Sequence, residues 1–123
     1  MKVRFLLDEN LTTRLKIAAL RFNPEIDILR VGDLNAPPLG TLDADILRYL
    51  ELSQRLFITD NRTSMPEHLE AHWANQGKIW GLLWVYPQTP IAELAEELFV
   101  IWEKTEAEEW IYKLDWIPFK RKV

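Results

Sequence analysis

Five acidic residues stand where an α/β chain would place chemistry. Asp8 and Glu9 follow directly on the apolar run Val3-Arg4-Phe5-Leu6-Leu7, and Asp60 follows Leu56-Phe57-Ile58-Thr59. Asp43 and Asp45 fall in the first turn of a helical pattern that leads into that second run. In an open α/β sheet the carboxyl ends of the strands line the ligand crevice, and charges there must be solvated, paired or bound to a cation. Three or four carboxylates at close range cannot all stay ionised without a counter-charge, and a hard, oxygen-seeking ion such as Mg²⁺ or Mn²⁺ supplies one. Such a site generates hydroxide and stabilises in-line displacement at phosphorus, so its natural chemistry is phosphodiester hydrolysis. The helix dipole alone also favours acids such as Asp43 and Asp45 in a first turn, so spacing leaves their role open.

The elements that must position these residues follow from periodicity. Residues 3–7 read as a central strand, since both faces are apolar apart from Arg4. Leu11, Leu15, Ala18, Ala19 and Phe22 share a helical face, with Asn10 or Thr12 as cap and Asn23-Pro24 as stop. Residues 26–31 form a second strand, and 32–40 a turn-rich loop. A helix over 42–52 has Thr41 as cap and Ile46, Leu47 and Leu50 inward; a third strand covers 56–59. Ser64-Met65-Pro66-Glu67 has capping-box spacing and opens a helix to about Asn75, which Gly77 stops. Ile79 to Val85 is a fourth strand. Thr89-Pro90 opens a helix carrying Leu94, Leu98, Ile101 and Trp102 inward, and residues 110–114 suit a short edge strand. This alternation predicts an α/β fold, a three-layer α/β/α sandwich around a mostly parallel sheet.

Composition narrows the classes. A chain of 123 residues, 48% hydrophobic, builds one core, so residues 1–123 read as a single domain. A net charge of -4 argues against broad, salt-driven nucleic-acid binding, which needs a basic face. The absence of cysteine excludes disulfides, thiolate metal sites and a cysteine nucleophile. The longest apolar run, 79–85, is far shorter than the ~20 residues of a membrane helix, and residues 1–7 are too short for a leader, so the expectation is a soluble cytoplasmic protein with no membrane contact.

Other residues carry a sharp and a bland reading. Arg62 adjoins the acidic edge and could hold an RNA phosphate, whereas Arg14 and Arg48 suit solvated helix faces. His68 and His72 are spaced for one helix face, adequate for a metal but without a third ligand, so an exposed or partner-facing pair is expected. Trp80, Trp84 and Trp102 read as core, Trp73, Trp110 and Trp116 as interface, a homodimer interface among the options. The basic tail Lys120-Arg121-Lys122 suits a solvated terminus or a nucleic-acid contact.

Four fragments in order, D-E-N-L at 8–11, R-V-G-D-L at 30–34, L-D-A-D-I-L at 42–47 and I-T-D-N-R-T-S-M-P at 58–66, resemble the small PIN-like proteins of an uncharacterised family. The likeness covers roughly residues 3–85. That family is grouped with the PIN-domain nucleases, including the VapC-type toxins of toxin-antitoxin pairs. The resemblance implies a PIN-like fold, an acidic pocket holding Mg²⁺ or Mn²⁺, RNA as substrate and an antitoxin as partner. Carried over by position, Asp8 is the first-strand ligand, Asp43 the acid opening the middle helix, and Asp60-Asn61 the last acidic site. Relatives place the final aspartate two residues after the threonine, where this chain has Asn61; Asp60 comes one position early. In an extended strand that shift turns the side chain to the opposite face, so either the strand ends before Asp60 or the site carries one charge fewer. Asn61 can still offer a carbonyl oxygen to a metal, without charge. Asp33 is the nearest match to a further acid of the family, although its turn setting also suits backbone capping.

Two functions compete: a metal-dependent ribonuclease with Asp8, Asp43 and Asp60 as its acids, and a PIN-like scaffold impaired in catalysis that works through protein contacts. A receiver-like phosphoacceptor fits less well, because Val85 leads to Tyr86-Pro87 and no strand-ending lysine follows.

Overall fold

Strands and helices alternate through residues 1–119, which the computed structural model describes; Lys120-Arg121-Lys122 lies outside the described residues. The order is β1 (Arg4–Leu7), α1 (Thr13–Phe22), β2 (Asp27–Arg30), α2 (Asp43–Ser53), β3 (Leu56–Thr59), α3 (Met65–Ala74), β4 (Leu82–Val85), α4 (Ile91–Lys104), a 3₁₀ turn (Ala107–Trp110) and β5 (Leu114–Ile117). The strands form one sheet in the order β2-β1-β3-β4-β5, parallel at every pairing. The α/β/α sandwich expected from periodicity is therefore present.

Strand alternation sorts the core into two layers. Phe5, Leu7, Ile58, Leu83 and Val85 face α1 and α4 and meet Leu15, Ala19, Leu94 and Leu98. Leu6, Phe57, Leu82 and Trp84 face α2 and α3 and meet Ile46, Leu47, Leu50 and Leu69. Both β3 and β4 are buried throughout, which is why they read as unbroken apolar runs. Phe22, expected inward, is largely exposed but stacks on Phe99 at 5.3 Å between ring centroids.

Several boundaries differ from expectation, each for a local reason. β4 starts only at Leu82 because Gly81 has φ +100°, and a Cβ there would lie 2.9 Å from Trp110 Cβ. Trp110, expected at an interface, is buried against that glycine and donates from Nε1 to Thr105 Oγ1 at 2.9 Å. The edge strand accordingly falls later than expected, after the 3₁₀ turn. Thr41 does not cap α2: its hydroxyl donates to Pro38 O, and Leu42 occupies the cap position. Ser64 occupies the cap position of α3 but makes no side-chain capping bond, because its hydroxyl is directed elsewhere. Trp80 and Trp84 are core, Trp102 and Trp116 are half-buried, and Trp73 is exposed.

Candidate active site

The strand order reverses between β1 and β3, and in doubly wound sheets of this order the ligand site lies at that switch point, outside the carboxyl ends of the strands. Asp8 and Thr59 end these two strands. Asp8 is 6% exposed and Thr59 fully buried, and they are the buried polar residues of the described chain. Asp8 N donates to Ile58 O, so the β1–β3 ladder continues one residue past β1 and holds Asp8 in place.

Asp8 lies at the head of a hydrogen-bonded chain. Thr59 Oγ1 donates to its Oδ2 at 2.6 Å, and Glu9 N donates to its Oδ1 at 2.7 Å. Asn61 sits at the centre. Its backbone N–H donates to Thr59 Oγ1 at 3.0 Å, and its Nδ2 donates to Ser64 Oγ at 3.0 Å. Ser64 Oγ in turn donates to Asp43 Oδ2 at 2.8 Å. Asn61 Oδ1 accepts from the backbone N–H groups of Thr63 and Ser64, which fixes the amide so that its nitrogen must face Ser64. Each arm therefore runs donor to acceptor from Asn61 outward and ends on a carboxylate. An aspartate at position 61 could not donate to Ser64. The departure at Asn61 thus has a structural role: it is the hub that aims two hydroxyls at Asp8 and Asp43.

Burial pushes the Asp8 carboxyl above the ordinary aspartate range, against the pull of the Thr59 and Glu9 hydrogen bonds; the charges of Asp60 and Asp43 push it further. Asp8, Asp43 and Asp60 therefore share one electrostatic neighbourhood. No basic side chain among the described residues forms an ion pair with Asp8.

Asp60 answers the question its position raised. β3 ends at Thr59, and Asp60, exposed, lies beyond the last strand residue. It lines a cleft of about 380 Å³ formed by Asn10, Leu11 and Thr12, the chain from Val85 to Thr89, and the start of α4. Asn61, Thr59 and Asp43 belong to the other arm of the edge, on the α2–α3 side. Asp60 and Asp43 thus flank Asp8, one on each side of the sheet. Arg62 also lines the cleft, and its guanidinium lies over the Trp116 ring, 5.4 Å from the centroid.

The remaining candidates have other partners. Glu9 Oε1 accepts from Gly40 N at 3.0 Å and pins the 32–40 loop over the edge. Asp33 accepts from Lys16 Nζ at 2.6 Å and from Arg30 N at 2.8 Å. Burial works against its ionised form, yet Lys16 and Arg30 outweigh burial and lower its pKa, so Asp33 braces the loop. Asp45 is exposed. Arg14 and Arg48 are exposed on helices, as expected. Of the histidines expected to be exposed or partner-facing, His68 keeps an exposed side chain, with Nε2 3.9 Å from Asp43 Oδ2, whereas His72 is mostly buried, with Nε2 3.2 Å from Glu51 Oε1 and 3.1 Å from Lys78 O. The receiver-like arrangement lacks its lysine, since β5 closes on Ile117 and Pro118.

Thr59 and Ser64 were not singled out by sequence reasoning. A signal existed for Thr59: it is a hydroxyl residue closing an otherwise apolar buried strand, on the same face as Phe57. Ser64 carried a competing signal, its capping-box spacing.

The side-chain atoms of Asp8, Thr59, Ser64 and Asp43 that meet at this edge are oxygens, which suits a hard divalent cation, and His68 Nε2 stands 3.9 Å from Asp43 Oδ2. Among the described residues no three His, Asp or Glu side chains are already gathered as ligands of one ion. Mg²⁺ needs only one or two carboxylates and keeps several waters; Asp8 and Asp43, each bonded to a hydroxyl, are the acids that could hold it. No family model, no curated protein and no solved structure matches this chain.

Proposed function

We propose that the protein is a metal-dependent phosphodiesterase of the PIN-like kind, acting on RNA, with Asp8 and Asp43 as the principal ligands of Mg²⁺ or Mn²⁺ and Asp60 as the acid on the opposite rim. The supporting observation is Asp8: a buried carboxylate at the switch point of the sheet, close to two further acids and without a basic partner among the described residues. An uncompensated buried charge is costly, and a bound cation is the compensation that also has a chemical use.

Each residue then has a task. Burial outweighs the hydrogen bonds from Thr59 and Glu9 and disfavours the ionised form of Asp8, so a bound cation would supply the compensation that the fold does not. Asp43 is fixed by Ser64, and Asn61 keeps both hydroxyls pointing at their carboxylates. Asp60, exposed in the lining of the cleft, would be the group that accepts a proton from the attacking water. When bound, the cation lowers the pKa of water and stabilises charge on the phosphoryl oxygens. A toxin role with an antitoxin partner, as the resemblance implies, extends this reading, as do a homodimer and a cytoplasmic setting. Among the described residues no helix is long and apolar enough to cross a membrane.

The test is cleavage of a labelled single-stranded RNA by the purified chain. The expected result is Mn²⁺-dependent cleavage that EDTA stops and that Asp8→Asn lowers by at least about a thousandfold. Cleavage equal in wild type and Asp8→Asn would remove the reading. A pure scaffold predicts no cleavage and no saturable Mn²⁺ binding.

A further inference from the structure

One helical turn beyond Ser64, His68 approaches the same carboxylate that Ser64 orients, and the reaction above gives it no task. Side chains four apart on a helix share a face. Both therefore meet α2 at its first residue: Ser64 Oγ donates to Asp43 Oδ2 at 2.8 Å, and His68 Nε2 lies 3.9 Å from that oxygen.

The separation decides what the pair can do. At 3.9 Å the ring nitrogen and the carboxylate oxygen make no hydrogen bond. Two atoms that ligate one ion at about 2.1 Å each stand about 3.4 Å apart at a tetrahedral angle and at most about 4.2 Å apart, so one ion fits between these two. Ser64 occupies one lone pair of Asp43 Oδ2, and the carboxylate keeps others free. With side chains 40% and 21% exposed, His68 and Asp43 are both open to an ion from solvent.

The second histidine of the chain is differently placed. His72 Nε2 lies 3.1 Å from Lys78 O and 3.2 Å from Glu51 Oε1, on a side chain only 16% exposed. Cysteine is absent, so His68 alone brings a donor other than oxygen to the acidic edge. Donor chemistry sets the preferred ion: carboxylates and water suit Mg²⁺ and Mn²⁺, whereas imidazole suits Zn²⁺ and its neighbours among the later transition metals.

We infer that His68 Nε2 and Asp43 form the selective arm of the metal site and make it favour a Zn²⁺-class ion over Mg²⁺. This rests on the phosphodiesterase reading for Asp43 as a ligand, and adds to it one residue and a class of cation. Asp8 contributes charge, which any divalent cation accepts. His68 contributes discrimination, and Mg²⁺ or Mn²⁺ still binds through the acids.

Calorimetric titration of the metal-free chain with ZnCl₂ and with MgCl₂ tests the two parts separately. Zn²⁺ binds most N/O sites more tightly than an alkaline-earth ion, so the decisive quantity is the change on removing the ring. His68→Ala should weaken Zn²⁺ binding by at least about tenfold, the lower bound for disturbing even an outer partner of a metal ligand. Mg²⁺ binding, which uses oxygen ligands, should stay within about twofold. Alanine is the best helix former, so the variant keeps α3. Isotope-labelled ring nitrogens give a readout that a structural role would not move: Zn²⁺ should shift the Nε2 resonance of His68 and leave that of His72 in place.

Equal loss of Zn²⁺ and Mg²⁺ affinity in His68→Ala, unchanged Zn²⁺ affinity, or a His68 ring that Zn²⁺ does not shift would overturn the inference. Mg²⁺ or Mn²⁺ binding that still depends on Asp8 would then leave the phosphodiesterase reading standing. Zn²⁺ binding that needs His68 and Asp43 but survives Asp8→Asn would keep the pair and reject the site centred on Asp8. A chain that binds none of these ions would overturn both.

Discussion

The two edges of the sheet handle charge in opposite ways. At the amino edge, charged groups meet partners. Arg55 Nη1 lies 2.9 Å from Asp27 Oδ1 and donates to Phe5 O, the chain's amino group pairs with Glu106 and Glu108, and Lys2 Nζ donates to Trp102 O. At the carboxyl edge, Asp8 is more deeply buried than any of these acids, yet its partners are a hydroxyl and an amide, and its charged neighbours are two more acids. The amino edge pairs its charges from within, with Arg55 Nε left as a buried atom without a hydrogen-bond partner, whereas Asp8 at the carboxyl edge has no basic partner among the described residues; on the reading proposed above, a cation from outside supplies it. Active sites commonly carry strain of this kind at a cost to stability.

The largest effect that would break this contrast is at Asp8. Its raised pKa means that the folded state disfavours the ionised form. Its contribution to stability is therefore fullest below the unfolded-state pKa and is lost as pH rises through the folded-state value. In EDTA at neutral pH, Asp8→Asn should melt no lower than wild type, and wild type should gain stability towards mild acid; without EDTA, Asp8→Asn should respond to no divalent cation. Thermal melts over a pH series check this; a large loss of stability in Asp8→Asn would mean that the charge is already compensated internally.

Next in size is the hydroxyl relay. Thr59→Val keeps the shape and removes the donor to Asp8, and should weaken Mn²⁺ binding by about ten- to a hundredfold while destabilising the fold by about 1–2 kcal/mol. Isothermal titration and denaturant unfolding measure the two separately. Asn61→Asp introduces the acid that the PIN-like resemblance leads one to expect here, but it places an acceptor where Ser64 needs a donor. Its Mn²⁺ affinity should fall below that of wild type by a few-fold, and a rise would show that the charge outweighs the relay.

At the opposite edge, Arg55→Met should cost about 1 kcal/mol in urea unfolding and leave Mn²⁺ binding unchanged. The smallest effect is at Asp33. Its lowered pKa means that its stabilisation is present above the unfolded-state value and lost as pH falls through the folded-state value. Asp33→Asn should therefore cost about 1 kcal/mol at neutral pH and almost nothing in acid, as paired unfolding curves at the two pH values would show.

The sequence made the layers legible because burial on both faces leaves unbroken apolar runs: β3 falls on the residues expected, and the inward faces of α2 and α4 match their periodicity. It also brought Asp8, Asp43 and Asp60 to one edge. What it missed depends on contacts distant in the chain. Thr41 and Ser64 had good local signals for capping, but Pro38 O and Asp43 offered their hydroxyls competing acceptors. Gly81 reads as an ordinary strand residue until Trp110, far along the chain, fills the space beside it. The hub role of Asn61 was hidden for the same reason: position in a motif shows which residue type is unusual, whereas its partners show what that residue does.

On the proposed reading a divalent cation completes the carboxyl edge, and titration of the metal-free chain with Mn²⁺, read by thermal melting, tests this. Wild type should show saturable stabilisation of about 3 kcal/mol at a hundredfold excess over the dissociation constant, or roughly 10 °C, and Asp8→Asn none. A melting temperature that stays flat in wild type, or rises equally in both proteins, would contradict it.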